Sequence, residues 1–384
     1  MYDAIVVGAR CAGSPTAMLL ARRGYRVLLL DRCAFPSDTY RNHFIQPSGV
    51  ALLQRWGLLG RVAASNCPPI RAFITDLGDG PLAEPVASGD GPDAAYAPRR
   101  IVLDAILAEA AGAAGAELRE RFTVQGLQWE AGRVVGIRGR GQGGGGVAER
   151  ARIVVGADGA HSLVARAVGA SAYHARPALT YGYYSYFSAV PMDGGEVWIR
   201  PASAYINFPT NDGLTCVAIQ APVAGLRAFR ADIAGNFFRA LDRVPKLAER
   251  VRGGTREERW YGTADLPNFF RTPRGEGWAL VGDAGYHKDP ILAQGISDAF
   301  RDAALLAEAI DAGLAGRAPL DAALAAYQQR RDAAALPGYE ASCAAAAFTP
   351  PPEAFAARAA ARMAAGPAWH DARRDRNTVL IATR

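Results

Sequence analysis

Lysine is nearly absent from this chain: among 43 basic residues only Lys246 and Lys288 are lysines, and the rest are arginines. No block of basic residues is interleaved with aromatics, and the net charge is only +6, which argues against a nucleic-acid partner. Cysteine is sparse. Cys11, Cys33, Cys67, Cys216 and Cys343 show no paired short spacing, so neither a zinc site nor a disulfide framework is indicated, and a reducing cytoplasmic setting fits. Charged or polar residues interrupt every apolar run before it reaches the ~20 residues of a membrane helix, so no integral membrane segment is expected. The N-terminus lacks the basic start of a secretion signal. A catalytic triad and a metal-ligand cluster are missing as well, so no metal is assigned.

What is present is a long chain of 384 residues, able to bury a sizeable core and to form two interlocked domains. The first thirty residues are the most organised. Ala4-Ile5-Val6-Val7 is an apolar run ending in a turn bounded by Gly8 and Gly13. An apolar-periodic segment follows (Ala17, Met18, Leu19, Leu20, Ala21), and Tyr25-Arg26-Val27-Leu28-Leu29-Leu30 returns before Asp31. The pattern predicts a strand, a helix and a second parallel strand. Gly8 permits the tight turn, Gly13 lets helix and strand pack closely, and the helix start offers unpaired amides to a pyrophosphate. Asp31, 18 positions beyond Gly13, would accept hydrogen bonds from an adenosine ribose. Arg10 stands where a glycine is usual, so its side chain must point outward or itself contact phosphate. From this stretch alone, a β-α-β unit that binds nothing remains open.

Further along, Val50, Leu52, Leu53, Trp56 and Leu58 mark a helix, and residues 66–96 read as a proline- and glycine-rich excursion. Ile101, Leu103, Ile106 and Leu107 share one helical face. Strands are predicted over 117–124, 134–138 and 147–155, the last running into Gly156-Ala157-Asp158-Gly159. After Gly169, strand-like pieces at 179–190, 195–200, 204–208 and 214–220, a helix at 233–241 and a strand near 259–263 imply an inserted antiparallel sheet. No second glycine fingerprint lies there, so a dedicated nicotinamide domain is absent from the sequence. Trp278-Ala279-Leu280-Val281 is a buried strand ending at Gly282-Asp283, and Gly295 opens a helix. Helices are expected at 320–335 and 353–365, with an arginine-rich tail from 368.

Gly8-x-x-x-x-Gly13 with Asp31, Arg100-x-x-Leu103-Asp104, Gly156-Ala157-Asp158-Gly159-x-x-Ser162, and Gly282-Asp283-Ala284 with Pro290 and Gln294-Gly295 stand in that order. This series resembles the para-hydroxybenzoate hydroxylase-like FAD superfamily, which includes class A flavoprotein monooxygenases, geranylgeranyl reductases and flavin-dependent halogenases. The resemblance covers residues 2–335. It implies an α/β fold: a Rossmann-like, glutathione reductase-type FAD domain (1–70, 97–170, 275–335) with an inserted, mainly antiparallel substrate domain (71–96, 171–274) and a C-terminal helical segment and tail (336–384).

The same resemblance assigns cofactor contacts to Gly8, Arg10, Gly13, Asp31, Arg32, Arg100, Asp158, Gly282, Asp283, Pro290, Gln294, Gly295 and Ile296. Asp283 would meet the ribityl chain, and the amides of the helix after Gly295 would face the flavin N1 and C2 carbonyl, where charge builds up on reduction. Arg100 reaches toward the ribityl or phosphate region or forms a surface salt bridge; Asp158 shapes the turn or caps a helix. Family monooxygenases place an arginine at the position of Ala165, whereas here Arg166 comes one later, which weakens a nicotinamide-docking role. Candidate catalytic residues are His43 and His287, as proton carriers or structural histidines, and Lys288, beside the flavin or paired with Asp289. In the aromatic strand, Tyr181 and Tyr183 share one face and Tyr184 and Tyr186 the other. Tyr181 and Tyr183 are assigned to the substrate cavity, with core packing open for either set.

The implied activity is that of an FAD-dependent monooxygenase in which NADPH or NADH reduces the flavin, which activates oxygen to hydroxylate or epoxidise an apolar or aromatic small molecule. A carbon-carbon bond reductase resembling geranylgeranyl reductases is the alternative. A flavin-binding protein without turnover is a further one, and a halogenase fits less well because the Trp-x-Trp-x-Ile-Pro segment does not occur. A monomer or homodimer is expected.

Overall fold

The computed structural model describes residues 1–39, 43–78, 80–87 and 91–348, so the helix expected over 353–365 and the tail from 368 lie outside them. Its first sheet carries five parallel strands in the order Trp278–Leu280, Gly146–Gly156, Tyr2–Val7, Val27–Leu30 and Glu117–Arg119. Continuous apolar runs make these strands because both faces are covered. Ala4, Val6, Val27 and Leu29 pack against the helices Gly13–Ala21, Arg100–Ala113 and Gly295–Leu314. Ile5, Val7, Leu28 and Leu30 pack on the other side, against Phe122, Val134 and Ile137. Val134 and Ile137 belong to an antiparallel meander of Thr123–Glu130, Arg133–Arg140 and the start of Gly146–Gly156, and Phe122 leads into it. The single strand expected over 117–124 is therefore two: its first half joins the parallel sheet and its second half the meander, with Arg121 at positive φ turning the chain between them.

The second sheet runs in the order Thr255–Arg256, Thr180–Ser188, Thr215–Pro222, Ser203–Pro209, Gly195–Arg200, Ala72–Asp76 and Pro81–Pro85. It is antiparallel except where Gly195–Arg200 lies parallel to Ala72–Asp76. Two strands of the 66–96 excursion thus belong to this sheet. Pro81–Pro85 reads as a loop because of its two prolines, but it is the exposed edge, where a proline costs no ladder bond. Helices Leu226–Ala231, Ile233–Leu241 and Pro245–Gly253 cover one face of the sheet. Ala172–Arg176, Asn268–Arg271 and Tyr286–His287 form a small third sheet.

No chain break occurs at 335. One helix, Leu320–Ala346, runs on through Pro337. Packing offsets the lost backbone bond: Tyr327 donates to the Leu280 carbonyl at 2.9 Å, and the buried Arg331 guanidinium donates to the carbonyls of Gly285 and Arg271 and to the Tyr173 hydroxyl. Among the described residues no helix is long and apolar enough to cross a membrane.

Candidate active site

Register brings three turns to one edge. Val7 lies opposite both Leu30 and Gly156, and Gly156 lies opposite Leu280, so four parallel strands end level with one another. The turns that follow press together without side chains between them. A Cβ on Gly8, which sits at φ +105°, would come within 2.8 Å of the Ala157 carbonyl carbon, and one on Gly13 within 2.9 Å of the Gly8 carbonyl carbon. One on Gly282, at φ +60°, would strike Ala12 Cβ at 2.6 Å. In an open parallel sheet this edge is where a nucleotide lies, and the helix starting at Gly13 points its first amides there.

Polar side chains then fix these turns. Asp31 accepts from the Ala9 amide and the Cys33 amide, both at 2.8 Å, so its carboxylate ties the glycine turn to the end of the second strand. Lone pairs remain on both oxygens for a ribose. Arg32 next to it is exposed. Arg10 turns aside from the glycine turn: it pairs with Asp104 at 2.5 Å and donates to Ser37 at 2.9 Å. Arg100 grips the same Asp104 carboxylate through two nitrogens, one turn earlier on its helix, so the alternative of a surface salt bridge gives way to a buried one. Burial alone would lower the Arg100 pKa, but Asp104, the Cys11 thiol and Asp283 outweigh it and raise it, which places this cation within the field of the Asp283 turn. Asp158 is a cap. Its oxygens accept from Ser162 at 2.5 Å and from the Leu163 amide at 2.6 Å, and burial raises its pKa.

The third turn carries the residues assigned to the flavin ring. Asp283 is partly exposed, with His287 Nε2 at 3.9 Å from its carboxylate. His287 Nδ1 is bonded to the Pro267 carbonyl. Lys288 is buried and pairs with Asp298 at 2.8 Å, not with Asp289 as one expectation had it, because Asp289 points to the other side. Asp289 accepts from Thr180 at 2.7 Å, Gln220 at 2.5 Å and the Ile291 amide at 3.1 Å, which joins this segment to the second sheet; burial raises its pKa. Pro290 follows, then Ala293 at φ +49°, Gln294 and the helix start at Gly295, where a Cβ would meet nothing within 4 Å. The side chain of Ile296 packs into the core, leaving its amide in the first turn of the helix. Gln46, which the sequence reading passed over, donates to the carbonyls of Leu292 and Ala293 and braces this segment from the Pro47–Arg55 helix.

His43 is fully enclosed. Nδ1 bonds the Ala97 carbonyl at 2.8 Å and Nε2 faces the Tyr186 hydroxyl at 2.9 Å, so Nδ1 carries the proton and Nε2 accepts. Burial, joined by Arg100 and Arg99, lowers its pKa to about 3, which with these two bonds fits the structural reading of this histidine. The two tyrosine pairs lie in different clusters. Tyr181 and Tyr183 lie beneath the helices, packed with Phe229 in the core of the second sheet. Tyr184 and Tyr186 lie on the other face of the strand, packed with Phe44, Ile206 and Phe208. The Tyr184 hydroxyl is buried and has no partner among the described residues. Strand alternation separates the two sets; only tertiary packing sets which face is which.

The donor set suits a long dinucleotide ending in a flavin: amides and a carboxylate at one end, a helix start bordered by open space at the other. A family model described as an FAD binding domain matches residues 1–337. The chain is 28% identical over 352 residues to a kynurenine 3-monooxygenase of Salinispora arenicola, covering 85% of this chain and 75% of that protein. It is 29% identical over 339 residues to a digeranylgeranylglycerophospholipid reductase of Methanosarcina mazei, covering 81% and 76%. Among solved structures, the myxobacterial chondrochloren halogenase superposes with a TM-score of 0.81 at 26% identity, over 89% of this chain and 83% of that one. The chain belongs to the FAD binding domain family, and within it to the para-hydroxybenzoate hydroxylase-like FAD-dependent oxidoreductases.

Proposed function

We propose that this chain is an NAD(P)H-dependent flavin monooxygenase acting on an apolar or aromatic small molecule in the cytoplasm. When bound, FAD supplies hydride acceptance from the nicotinamide and oxygen activation. The protein's own residues bind, orient and exclude water. Gly8, Gly13 and the amides after Gly13 receive the pyrophosphate, Asp31 the ribose, and Asp283 the ribityl chain. The amides of Gly295 and Ile296 present positive dipole ends where electron density gathers. Substrate would lie between this helix start and the face carrying Tyr184, Tyr186, Ile206 and Phe208. The observation that supports the reading is that apolar, aromatic face, packed against Ala293 just before the Gly295 helix start, with a Tyr184 hydroxyl that has no partner among the described residues. His43 holds Tyr186 in place through its hydroxyl.

A carbon-carbon bond reductase is the second reading, favoured by the likeness to the Methanosarcina mazei enzyme. One experiment separates them. The purified protein should bleach on anaerobic NADPH or NADH, and on readmission of air a candidate aromatic substrate should accelerate oxygen consumption with stoichiometric oxygenated product. Substrate turnover without oxygen uptake would overturn the monooxygenase reading in favour of the reductase.

A further inference from the structure

Lys288 is chemically conspicuous, a buried lysine in a chain that otherwise uses arginine almost throughout. Its Nζ lies 2.8 Å from Asp298 Oδ2, and Asp298 also receives Arg301 at 2.7 Å. Burial alone would raise the Asp298 carboxyl, but the two cations outweigh it and hold it below the usual range. The charge of Lys288 is thus balanced within the protein. What it still controls is direction.

Lys288 Nζ also donates to Gln294 Oε1 at 2.5 Å. An ammonium offers only donors, so the Gln294 carboxamide must turn its oxygen toward Lys288 and its two N–H bonds away. That Nε2 has no acceptor among the described residues, and Gln294 immediately precedes the twenty-residue helix that opens at Gly295, beside open space. Behind the pair stands Gly338 of the long C-terminal helix. A Cβ there would come within 2.9 Å of Gln294 Oε1 and 3.1 Å of Lys288 Nζ. A side chain at that position would push the two side-chain ends out of this arrangement.

We propose that Lys288 is a positioning residue that locks Gln294 as a hydrogen-bond donor toward the pyrimidine edge of the flavin, adding a neutral side-chain donor to the helix amides. The inference rests on the flavin-ring assignment made above for the Gly295 helix start. A donor at that edge favours reduced flavin, whose negative charge gathers there. The reduced-to-oxidised ratio, measured in the FAD-loaded full chain against a reference dye, should fall about tenfold in Gln294→Leu, the worth of one hydrogen bond to a charged group. Lys288→Met should lower it similarly, yet change it less than twofold when added to Gln294→Leu. Gly338→Ala removes no polar group and suits a helix interior, but should shift the ratio about threefold in the same direction. An unchanged ratio in Gln294→Leu, or an equal Lys288→Met effect with and without Gln294, would overturn the proposal. If Lys288→Met fails to bind FAD, the Gln294 and Gly338 variants carry the test. A flavin ratio that stays unchanged in variants at all three of positions 294, 295 and 296 would instead remove the flavin-ring assignment.

Discussion

The two sheets approach the candidate site in opposite ways. The parallel sheet presents backbone: Gly8, Gly13 and Gly282 sit where any Cβ would collide with a neighbouring turn, and side chains such as Asp31 and Asp158 serve those turns. The antiparallel sheet presents side chains: Tyr184, Tyr186, Ile206 and Phe208 make the face turned away from its helices, and their backbone only spaces them. A cofactor shared across a family can be gripped by main chain, which varies little. A substrate peculiar to one enzyme has to be read by side chains, which vary freely.

The largest effect should come from putting a side chain into the first region. Gly8→Val combines a left-handed backbone unsuited to a β-branched residue with a collision against Ala157. The variant should purify without yellow colour, its FAD affinity reduced at least about a hundredfold, as read by flavin absorbance per chain. In the second region a comparable truncation should act on stability alone if it is made on the far face. Tyr181→Ala, beneath the helices, should cost roughly 3–5 kcal/mol in chemical denaturation while KM for substrate stays unchanged. A raised KM without loss of stability would return Tyr181 to the cavity.

This contrast also explains what could be read from the sequence. The β-α-β start, the Gly156 and Gly282 turns and the helix at Gly295 were legible because glycine and buried apolar runs are backbone requirements written as residue types. The sequence left Arg100 between a cofactor contact and a surface salt bridge; that its partner is the buried Asp104, one helical turn on, came only from the fold. The face of the tyrosine strand was not legible, since alternation separates Tyr181 and Tyr183 from Tyr184 and Tyr186 without saying which lies beneath the helices. Nor was the partner of Lys288: Asp289 is adjacent in sequence, but Asp298, one turn into the following helix, is adjacent in space. Gln46 and Arg331 carried no local signal, because the carbonyls they hold lie far along the chain.

A medium-sized effect should appear with pH. Unfolded His43 takes up a proton near 6.5, whereas the folded residue resists until about 3. Between those values the unfolded chain binds more protons, so this histidine lowers stability as pH falls below 6.5, by roughly 1.4 kcal/mol per unit. Denaturation of the wild type and of His43→Gln at pH 7.5 and 5.5 isolates the contribution. The wild type should lose about 1.4 kcal/mol more than the variant over that interval, and an equal loss in both would mean that His43 is not sealed against protonation.

The smallest effect on stability is the most telling for function. Removing the Tyr184 hydroxyl deletes a buried group that has no partner among the described residues, while the ring keeps its stack on Tyr261 at 5.2 Å. Tyr184→Phe should therefore be neutral or more stable by up to about 1 kcal/mol, since an unpaired buried hydroxyl carries its desolvation cost uncompensated. On the opposite face the Tyr183 hydroxyl accepts from Arg230 at 3.1 Å, so Tyr183→Phe should lose about 0.5–1 kcal/mol instead. Kinetics should show the reverse order. If the Tyr184 hydroxyl is held in reserve for a polar atom of the substrate, its loss should raise KM about five- to tenfold, whereas Tyr183→Phe should leave KM alone. Should both variants leave KM unchanged, the face carrying Tyr184 would be packing like the one beneath the helices, and the substrate would have to be sought nearer the helix start at Gly295.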